Sequence, residues 1–315
     1  IYLMKIYLSK IKKIVDWEVI ADICKIISKT KSHFDQNDTT HVLILKSIEE
    51  IIYINQGVGD LGWYTATQSF VQAVFDVSKC PEIYIEIFFK KISNFLGHQS
   101  ELSFDQLATK LSQLIWTSGE VALKLLARIE DVEELLKKKH TDPEKSKKGM
   151  AIESGGAAEE PEELDQAMGG FDGVYQSQRE ILHEIAESKI IYDNVIGAMM
   201  PIVRNVVQKI INNKGNLSNG AINTALAHCC TVTLFKFAAI SKKFCHESIE
   251  TVIELIQKDM DSALVVKSLL GLSDLIKRTP QIVEPFSHRL FETLDSPHRS
   301  VKKISMIIIT HLILN

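Results

Sequence analysis

The sequence predicts an all-α fold built from stacked pairs of helices and interrupted by one charged loop. Apolar residues recur with helical spacing along most of the chain, and no segment alternates apolar and polar residues as a half-buried strand does. In addition, one pair of predicted helices occurs twice near the C-terminus, at 248–278 and 282–314.

The two copies share a register. A shift of 36 residues superposes the turn residues, the buried positions and one lysine: Asp259 on Asp295, Val265 on Val301, Lys267 on Lys303, Leu272 on Ile308 and Ile276 on Leu312. Self-similarity with a period of roughly 35 to 47 residues and two helices per unit is typical of HEAT and armadillo repeats. Because one such pair cannot bury its own apolar face, neighbouring pairs must stack into a solenoid. This favours a binding scaffold over an enzyme.

Composition and charge are those of an ordinary globular protein. The 315 residues are 45% apolar and 24% charged, which is enough for about seven helix pairs of ~40 residues each. The formal net charge is only −4, so any contact with nucleic acid would have to come from a local basic stripe.

The predicted helices follow one another closely. Pro81 has the place of a first helical residue, and Pro201 lies near the start or at a kink of a helix over 195–211. A charged helical end is predicted over 130–139. Apolar faces are predicted at Ile85, Phe88, Ile92 and Phe95, and at Leu107, Leu111, Leu114, Ile115, Val121, Leu125 and Leu126.

A charged segment divides the chain. Residues 138–172 are Lys-rich at first and Glu-rich later, with two Gly-Gly pairs and few apolar residues. Such a segment cannot bury enough surface to offset its ordering entropy, so we expect a disordered loop there. The predicted organisation is therefore HEAT-like repeats over 1–137, the loop over 138–172, and HEAT repeats over 173–315.

Neither disulfides nor a membrane span is expected. The five cysteines, Cys24, Cys80, Cys229, Cys230 and Cys245, are odd in number and lack C-x-x-C spacing, so reduced, buried thiols are expected. Lysines interrupt the N-terminal apolar stretch, and the uncharged run 215–235 is too polar to span a bilayer. The chain starts with Ile1 and stops after an apolar helical run, which is what a fragment would show.

Two motifs resemble catalytic or cofactor sites. Residues 57–62 spell G-x-G-x-x-G, which is a dinucleotide fingerprint only within a β-α unit; among helices, a turn between two helices is favoured. In 183–187 the sequence H-E-I-A-E lacks the second histidine that a zinc site of the H-E-x-x-H type requires. The sequence therefore assigns no catalytic, cofactor-binding or metal-binding residues.

Basic residues and one Ser-Pro sequence are the candidate functional residues. A stripe of cations from successive repeats could neutralise phosphates without reading base sequence, although a solvated face explains the same pattern. Ser296 precedes Pro297 in an S-P-x-R sequence, which suits both a turn between helices and a phosphorylation site at a helix N-terminus. The candidate DNA contacts are Lys242, Lys243, Arg299, Lys302 and Lys303.

Three stretches resemble the D2-type HEAT-repeat regulatory subunit of condensin. The first is L-S-Q-L-I-W-T-S-G-E-V-A-L-K at 111–124, with a Lys-rich helix end at 133–139. The second is the Gly- and Glu-rich break that follows. The third joins 234–245, ending in Phe-Cys, to 265–314, ending in T-H-L-I-L. The resemblance covers roughly 63–315, and Lys267 stands where the family usually has Arg.

The resemblance implies a non-enzymatic subunit without cofactors. Such a subunit joins two structural-maintenance-of-chromosomes ATPases, a kleisin and a second HEAT subunit, and it contacts DNA and chromatin during mitotic chromosome condensation. The implied location is the nucleus and chromosomes, with the cytoplasm in part of the cell cycle, and no membrane partner. The alternative is a HEAT adaptor of nuclear transport or vesicle coats, which would bind protein partners without DNA.

Overall fold

The computed structural model describes residues 15–30, 40–54, 61–78, 80–97, 103–141, 170–213, 223–257 and 260–314. These residues contain helices and no strand, which confirms the predicted all-α class. The helices are α1 (Trp17–Lys29), α2 (Thr40–Ile54), α3 (Leu61–Val77), α4 (Pro81–Gly97), α5 (Phe104–Thr141), α6 (Gly170–Ile185), α7 (Val195–Asn212), α8 (Thr224–Ile240), α9 (Lys242–Glu254), α10 (Ser262–Arg278), α11 (Pro280–Val283), α12 (Ser287–Glu292) and α13 (Arg299–Leu314).

Contacts group the chain into two compact units. The first unit is Ile1–Lys124 with Val195–Asn315, and the second unit is Leu125–Asn194. The boundary between them falls within the 38-residue helix α5. The division 1–137, 138–172 and 173–315 remains a prediction. Most of its predicted loop, 142–169, lies outside the described residues, while 138–141 and 170–172 are helical.

Close packing joins the first helices of the first unit. Asp16 caps α1, since its carboxylate accepts hydrogen bonds from the backbone N–H groups of Glu18 and Val19 at 3.1 and 3.3 Å. Helix α3 crosses α1 at Gly62, where a β-carbon would lie 2.7 Å from Cβ of Trp17. Pro81 is the first residue of α4, as predicted.

Two layers form the C-terminal part of the first unit. In layer A, α7 contacts α9 and α9 contacts α11, with α12 following along the chain. In layer B, α8 contacts α10 and α10 contacts α13. The layers pack on each other through α7 with α8 and α8 with α9. This is the stacking of helix pairs that the repeat predicts.

The 36-residue register holds for the second helix of each copy. Val265 and Leu272 of α10 are buried, as are Val301 and Ile308 of α13. The first helices differ, because α9 is continuous whereas its counterpart is divided into α11, a 3₁₀ turn at Glu284–Phe286, α12 and a second 3₁₀ turn at Thr293–Asp295. Pro285 has no backbone N–H to continue the helix from α11, which accounts for the first of these breaks.

The turns of the two copies also differ from the prediction. Asp259 lies outside the described residues, and the residue that caps α10 is Asp261, which accepts from the N–H groups of Ala263 and Leu264 at 2.9 and 3.2 Å. Asp295 ends a 3₁₀ turn instead of capping a helix.

Two helical features lie close in sequence to the boundary between the units at residues 194 and 195. In the second unit, α6 continues as a π-helix at Ala186–Tyr192. In the first unit, α7 spans Val195–Asn212, which extends the predicted helix 195–211 by one residue, and Pro201 lies inside it. Among the described residues no single helix is long and apolar enough to cross a membrane. One pair of helical segments, Tyr175–Tyr192 and Val195–Asn212, has the required length and apolar composition when taken together, but the two are separated by a break in the helix.

Candidate interaction surface

The five candidate DNA-contact residues lie at two helix N-termini. Lys242 and Lys243 are the first residues of α9, and Arg299, Lys302 and Lys303 lie in the first two turns of α13. All five are exposed. Within the described part of the chain, Arg299, Lys302 and Lys303 take part in no ion pair.

These residues do not form the continuous stripe that the sequence predicted. Lys242 and Lys243 belong to layer A, whereas the other three belong to layer B. The 36-residue register pairs Lys242 with Arg278 and pairs Lys267 with Lys303. The expected row is therefore corrected to two separate basic sets, because the first and second helices of a repeat are not equivalent positions.

Ser296 is almost inaccessible in this conformation. It is 5% exposed, and its hydroxyl oxygen accepts a hydrogen bond from the N–H of His298 at 3.3 Å. A kinase would need this turn to open first, since a buried hydroxyl cannot enter an active site. Phosphorylation of Ser296 therefore stays a prediction. The structure places Ser296 in the turn between the 3₁₀ segment Thr293–Asp295 and α13.

The glycine motif contributes packing at its one described glycine. Residues 57–60 lie outside the described residues, while Leu61 begins α3 and Gly62 lies against Trp17.

The motif at 183–187, which resembles a zinc site but lacks the second histidine, lies near a carboxylate. His183 Nε2 lies 3.6 Å from a carboxylate oxygen of Glu133. The described residues contain no group of three or more metal-ligating side chains.

The cysteines of the described residues are free thiols. Cys24, Cys229, Cys230 and Cys245 are buried, and Cys80 is exposed, so the expectation of buried thiols fails at that position. Burial raises the pKa of Cys24 to about 12 and that of Cys229 to about 11, which keeps both thiols protonated and unreactive at neutral pH.

A buried polar cluster joins α5 to α8. Lys236 Nζ lies 2.5 Å from a carboxylate oxygen of Glu120 and 4.2 Å from the ring centroid of Trp116. The side chains of Glu120 and Lys236 are only 2% and 12% exposed. Trp116 in turn donates its indole N–H to the backbone oxygen of Tyr64 in α3, at 3.2 Å. The cluster therefore ties α3, α5 and α8 together.

Small residues allow this close approach. A β-carbon on Gly119 would lie 2.9 Å from both Thr233 Oγ1 and Lys236 Cδ. Thr233 donates its hydroxyl to the backbone oxygen of Ile115 at 3.3 Å. The stretch 111–124 resembles the condensin family, but its sequence does not reveal this cluster, because the partners in α8 are more than 100 residues away.

The outward face of layer B has an apolar row at its centre. Asn223 caps α8 as Asp261 caps α10, so the two helices superpose with a shift of 38 residues. That shift and the 36-residue register align Val232, Leu270 and Met306 on α8, α10 and α13. Val232 is partly exposed, Leu270 is 50% exposed and Met306 is 61% exposed. An exposed apolar row on three adjacent helices is the kind of patch that marks an interaction site.

Cations flank this apolar row on the side of the helix N-termini. Lys267 and Lys303 lie three residues before Leu270 and Met306, and Lys302 lies beside Lys303. Lys267 is partly buried, and desolvation lowers its pKa although the nearby Cys229 and Asp261 act in the opposite direction. The opposite flank carries Asp274 on α10, and the equivalent position on α8 is Lys236, whose charge is paired with Glu120.

His228 of α8 lies near Lys267 of α10. Its pKa is lowered first by burial and then by the charge of Lys267, so the neutral imidazole is favoured. Its Nδ1 is buried and makes no hydrogen bond within the described residues. Val232, Leu270 and Met306 with Lys267, Lys302 and Lys303 are called the layer B surface below.

Comparison with known proteins gives one consistent result. No protein-family model matches the chain. Condensin complex subunit 1 of Xenopus laevis is 26% identical over 267 residues, which are 82% of this chain and 19% of that protein. The Saccharomyces cerevisiae protein of the same name is 23% identical over 268 residues, 81% of this chain and 22% of that protein.

A plant relative gives the same result. The condensin-1 complex subunit CAP-D2 of Arabidopsis thaliana is 21% identical over 277 residues, 80% of this chain and 19% of that protein. The chain thus spans about a fifth of the length of these curated relatives. The resemblance predicted from the three stretches is confirmed, since the chain is similar to condensin complex subunit 1 over about four fifths of its length.

Proposed function

We propose that this chain acts as a non-enzymatic HEAT-repeat scaffold within condensin, binding the kleisin subunit and chromatin DNA in mitotic chromosome condensation. The observation that supports it best is the agreement between relatives in vertebrates, yeast and plants. Helix pairs stacked in two layers suit a scaffold, since such arrays bind partners along an extended surface.

The proposed partners follow from the condensin assembly. They are the kleisin, the structural-maintenance-of-chromosomes ATPases, the second HEAT subunit and DNA bound without sequence specificity. ATP hydrolysis would take place in the partner ATPases, so this chain needs no cofactor. The corresponding location is the nucleus and chromosomes, with the cytoplasm for part of the cell cycle.

Co-expression with a kleisin tests the protein partner. A tagged kleisin fragment from the same organism is expected to retain this chain through affinity purification and gel filtration. A kleisin fragment from an unrelated chromosomal complex is the control. Failure to co-purify with the condensin kleisin would contradict the proposal.

An electrophoretic mobility shift tests DNA binding. A labelled duplex is expected to bind at about 50 mM salt and much more weakly at about 200 mM, because each neutralised phosphate releases counterions. The triple variant Arg299→Gln, Lys302→Gln, Lys303→Gln and the pair Lys242→Gln, Lys243→Gln determine which basic set contributes. Binding that is absent at both salt concentrations would favour the adaptor alternative.

A further inference from the structure

The layer B surface combines two chemistries that one ligand must satisfy. Val232, Leu270 and Met306 form an apolar row, and Lys267 and Lys303 form a parallel basic row one helical turn away. The same pair of residue types, Lys then an apolar residue three positions later, repeats on α10 and α13. A ligand that repeats its own chemistry at the same spacing would match both helices.

A protein segment fits this surface better than a nucleic acid does. Phosphates would pair with Lys267 and Lys303 but would leave Leu270 and Met306 against water. An acidic side chain beside an apolar one satisfies both rows, with the acidic group on the side of Lys267 and Lys303. On α10, Asp274 disfavours an acidic group on the other side of the apolar row.

The spacing of the helices selects the backbone conformation of that segment. Adjacent packed helices lie about 8–10 Å apart. A polyproline II segment advances about 3.1 Å per residue with three residues per turn, which gives about 9.3 Å per turn. Every third residue of such a segment would therefore meet equivalent positions on α8, α10 and α13.

We infer that the layer B surface binds an extended segment of a partner protein in which acidic and apolar residues recur every three positions. The inference rests on the proposed scaffold function and adds the surface and the chemistry of the partner segment. The segment lies across the helices, with its apolar side chains on Val232, Leu270 and Met306 and its carboxylates toward Lys267 and Lys303.

Fluorescence anisotropy with a labelled peptide tests the inference. The probe is a 15-residue peptide of five Glu-Pro-Leu repeats, which favours polyproline II, compared with peptides that carry Lys for Glu or Ser for Leu. The full chain is expected to bind the first probe and neither of the others. Absence of binding by the Glu-Pro-Leu peptide overturns the inference.

Matched variants locate the binding. Leu270→Ser is expected to weaken binding about tenfold, because the exposed half of the leucine side chain loses its apolar contact with the peptide. Lys267→Gln is expected to weaken binding and to reduce its salt dependence. Phe291→Ser and Lys242→Gln are the controls, since both residues are exposed in the layer A half of the repeats. The inference is overturned if the control variants lose as much peptide affinity as Leu270→Ser and Lys267→Gln do. It is also overturned if a DNA duplex displaces the peptide while Leu270→Ser leaves the peptide affinity unchanged.

The two proposals can fail separately. If the kleisin fragment co-purifies with the chain but Leu270→Ser and Lys267→Gln leave the peptide affinity unchanged, the layer B surface is not the binding site and the scaffold function stands. If neither the kleisin nor the peptide binds, both proposals fail.

Discussion

At the scale of single residues, Glu120 and Lys236 form a nearly buried ion pair in the first unit. The two side chains are nearly buried and 2.5 Å apart, and Lys236 also lies over Trp116. The pairing offsets the cost of removing both charges from water, so loss of one partner leaves the other charged and buried.

Glu120→Gln is therefore expected to lower the free energy of unfolding by about 3 kcal/mol, measured by urea denaturation followed by circular dichroism. Glu86→Gln is the matched control, because it breaks the exposed pair with Lys90 and is expected to change the stability by less than about 0.5 kcal/mol. Similar losses in the two variants would show that the buried pair has no special weight.

Lys110 gives a test that depends on pH. Burial lowers its pKa from 10.5 to about 8, so between those two values the unfolded chain binds the additional proton. Stability from this group is accordingly present above pH 10.5 and is lost as the pH falls through about 8.

The variant Lys110→Met isolates this effect. At pH 8 the variant is expected to have the higher free energy of unfolding, because it buries no charge at this position. This advantage over the unmodified chain is expected to shrink as the pH rises from about 8 to about 10, because Lys110 then loses its proton. Taking the difference removes other groups, such as Tyr64, whose pKa burial raises to about 12 and whose contribution has the opposite sign. A difference that does not vary with pH would contradict the lowered pKa of Lys110.

At the scale of helices, polar caps determine where layer B begins. Asn223 and Asp261 each accept two backbone N–H groups in the first turn of α8 and α10. These equivalent caps place Val232 and Leu270 at equivalent positions on the two helices. The sequence repeat suggested Asp259 as the turn residue, because an aspartate at either position fits the pattern and only the backbone geometry distinguishes them.

Asp261→Ala is expected to destabilise the chain by about 1 kcal/mol, since two N–H groups at the start of α10 lose their acceptor. Thermal unfolding provides the measurement, with Asp261→Asn as the variant that keeps the cap. Asp274→Ala, in the middle of the same helix, is the control and is expected to be neutral or slightly stabilising. Equal effects at the two aspartates would contradict the role of the cap.

The broken first helix of the second repeat shows a limit of sequence patterns at this scale. The apolar spacing of 282–294 fits a helix, and the residues are indeed helical, but in short α and 3₁₀ segments. Val283 and Leu290 are nevertheless buried. Periodicity reports which residues face the core, whereas the type of hydrogen bonding depends on local residues such as Pro285.

At the scale of the whole chain, the first unit is assembled from two segments that are distant in sequence. Residues before 125 and after 194 share this unit, and the contacts of α5 with α8 through Trp116, Glu120 and Lys236 join them. The two segments should therefore remain together when the connection between them is cut.

A protease site introduced between residues 150 and 160 tests this expectation. After cleavage, the two fragments are expected to co-elute in gel filtration, because the buried α5–α8 interface does not depend on the connecting chain. Glu120→Gln in the same cleaved chain is expected to promote their separation. Fragments that separate in the unmodified background would show that the connection is needed to hold the unit together.

The sequence by itself determined the helical class, the repeat of helix pairs and the similarity to condensin subunit 1. These depend on periodicity and on residue identities along the chain, which folding does not change. The tertiary structure decided the rest: it separated the predicted basic stripe into two layers, buried Ser296 and brought Glu120 to Lys236. Those outcomes depend on which helices become neighbours, and packing between residues more than 100 positions apart leaves no local signal in the chain.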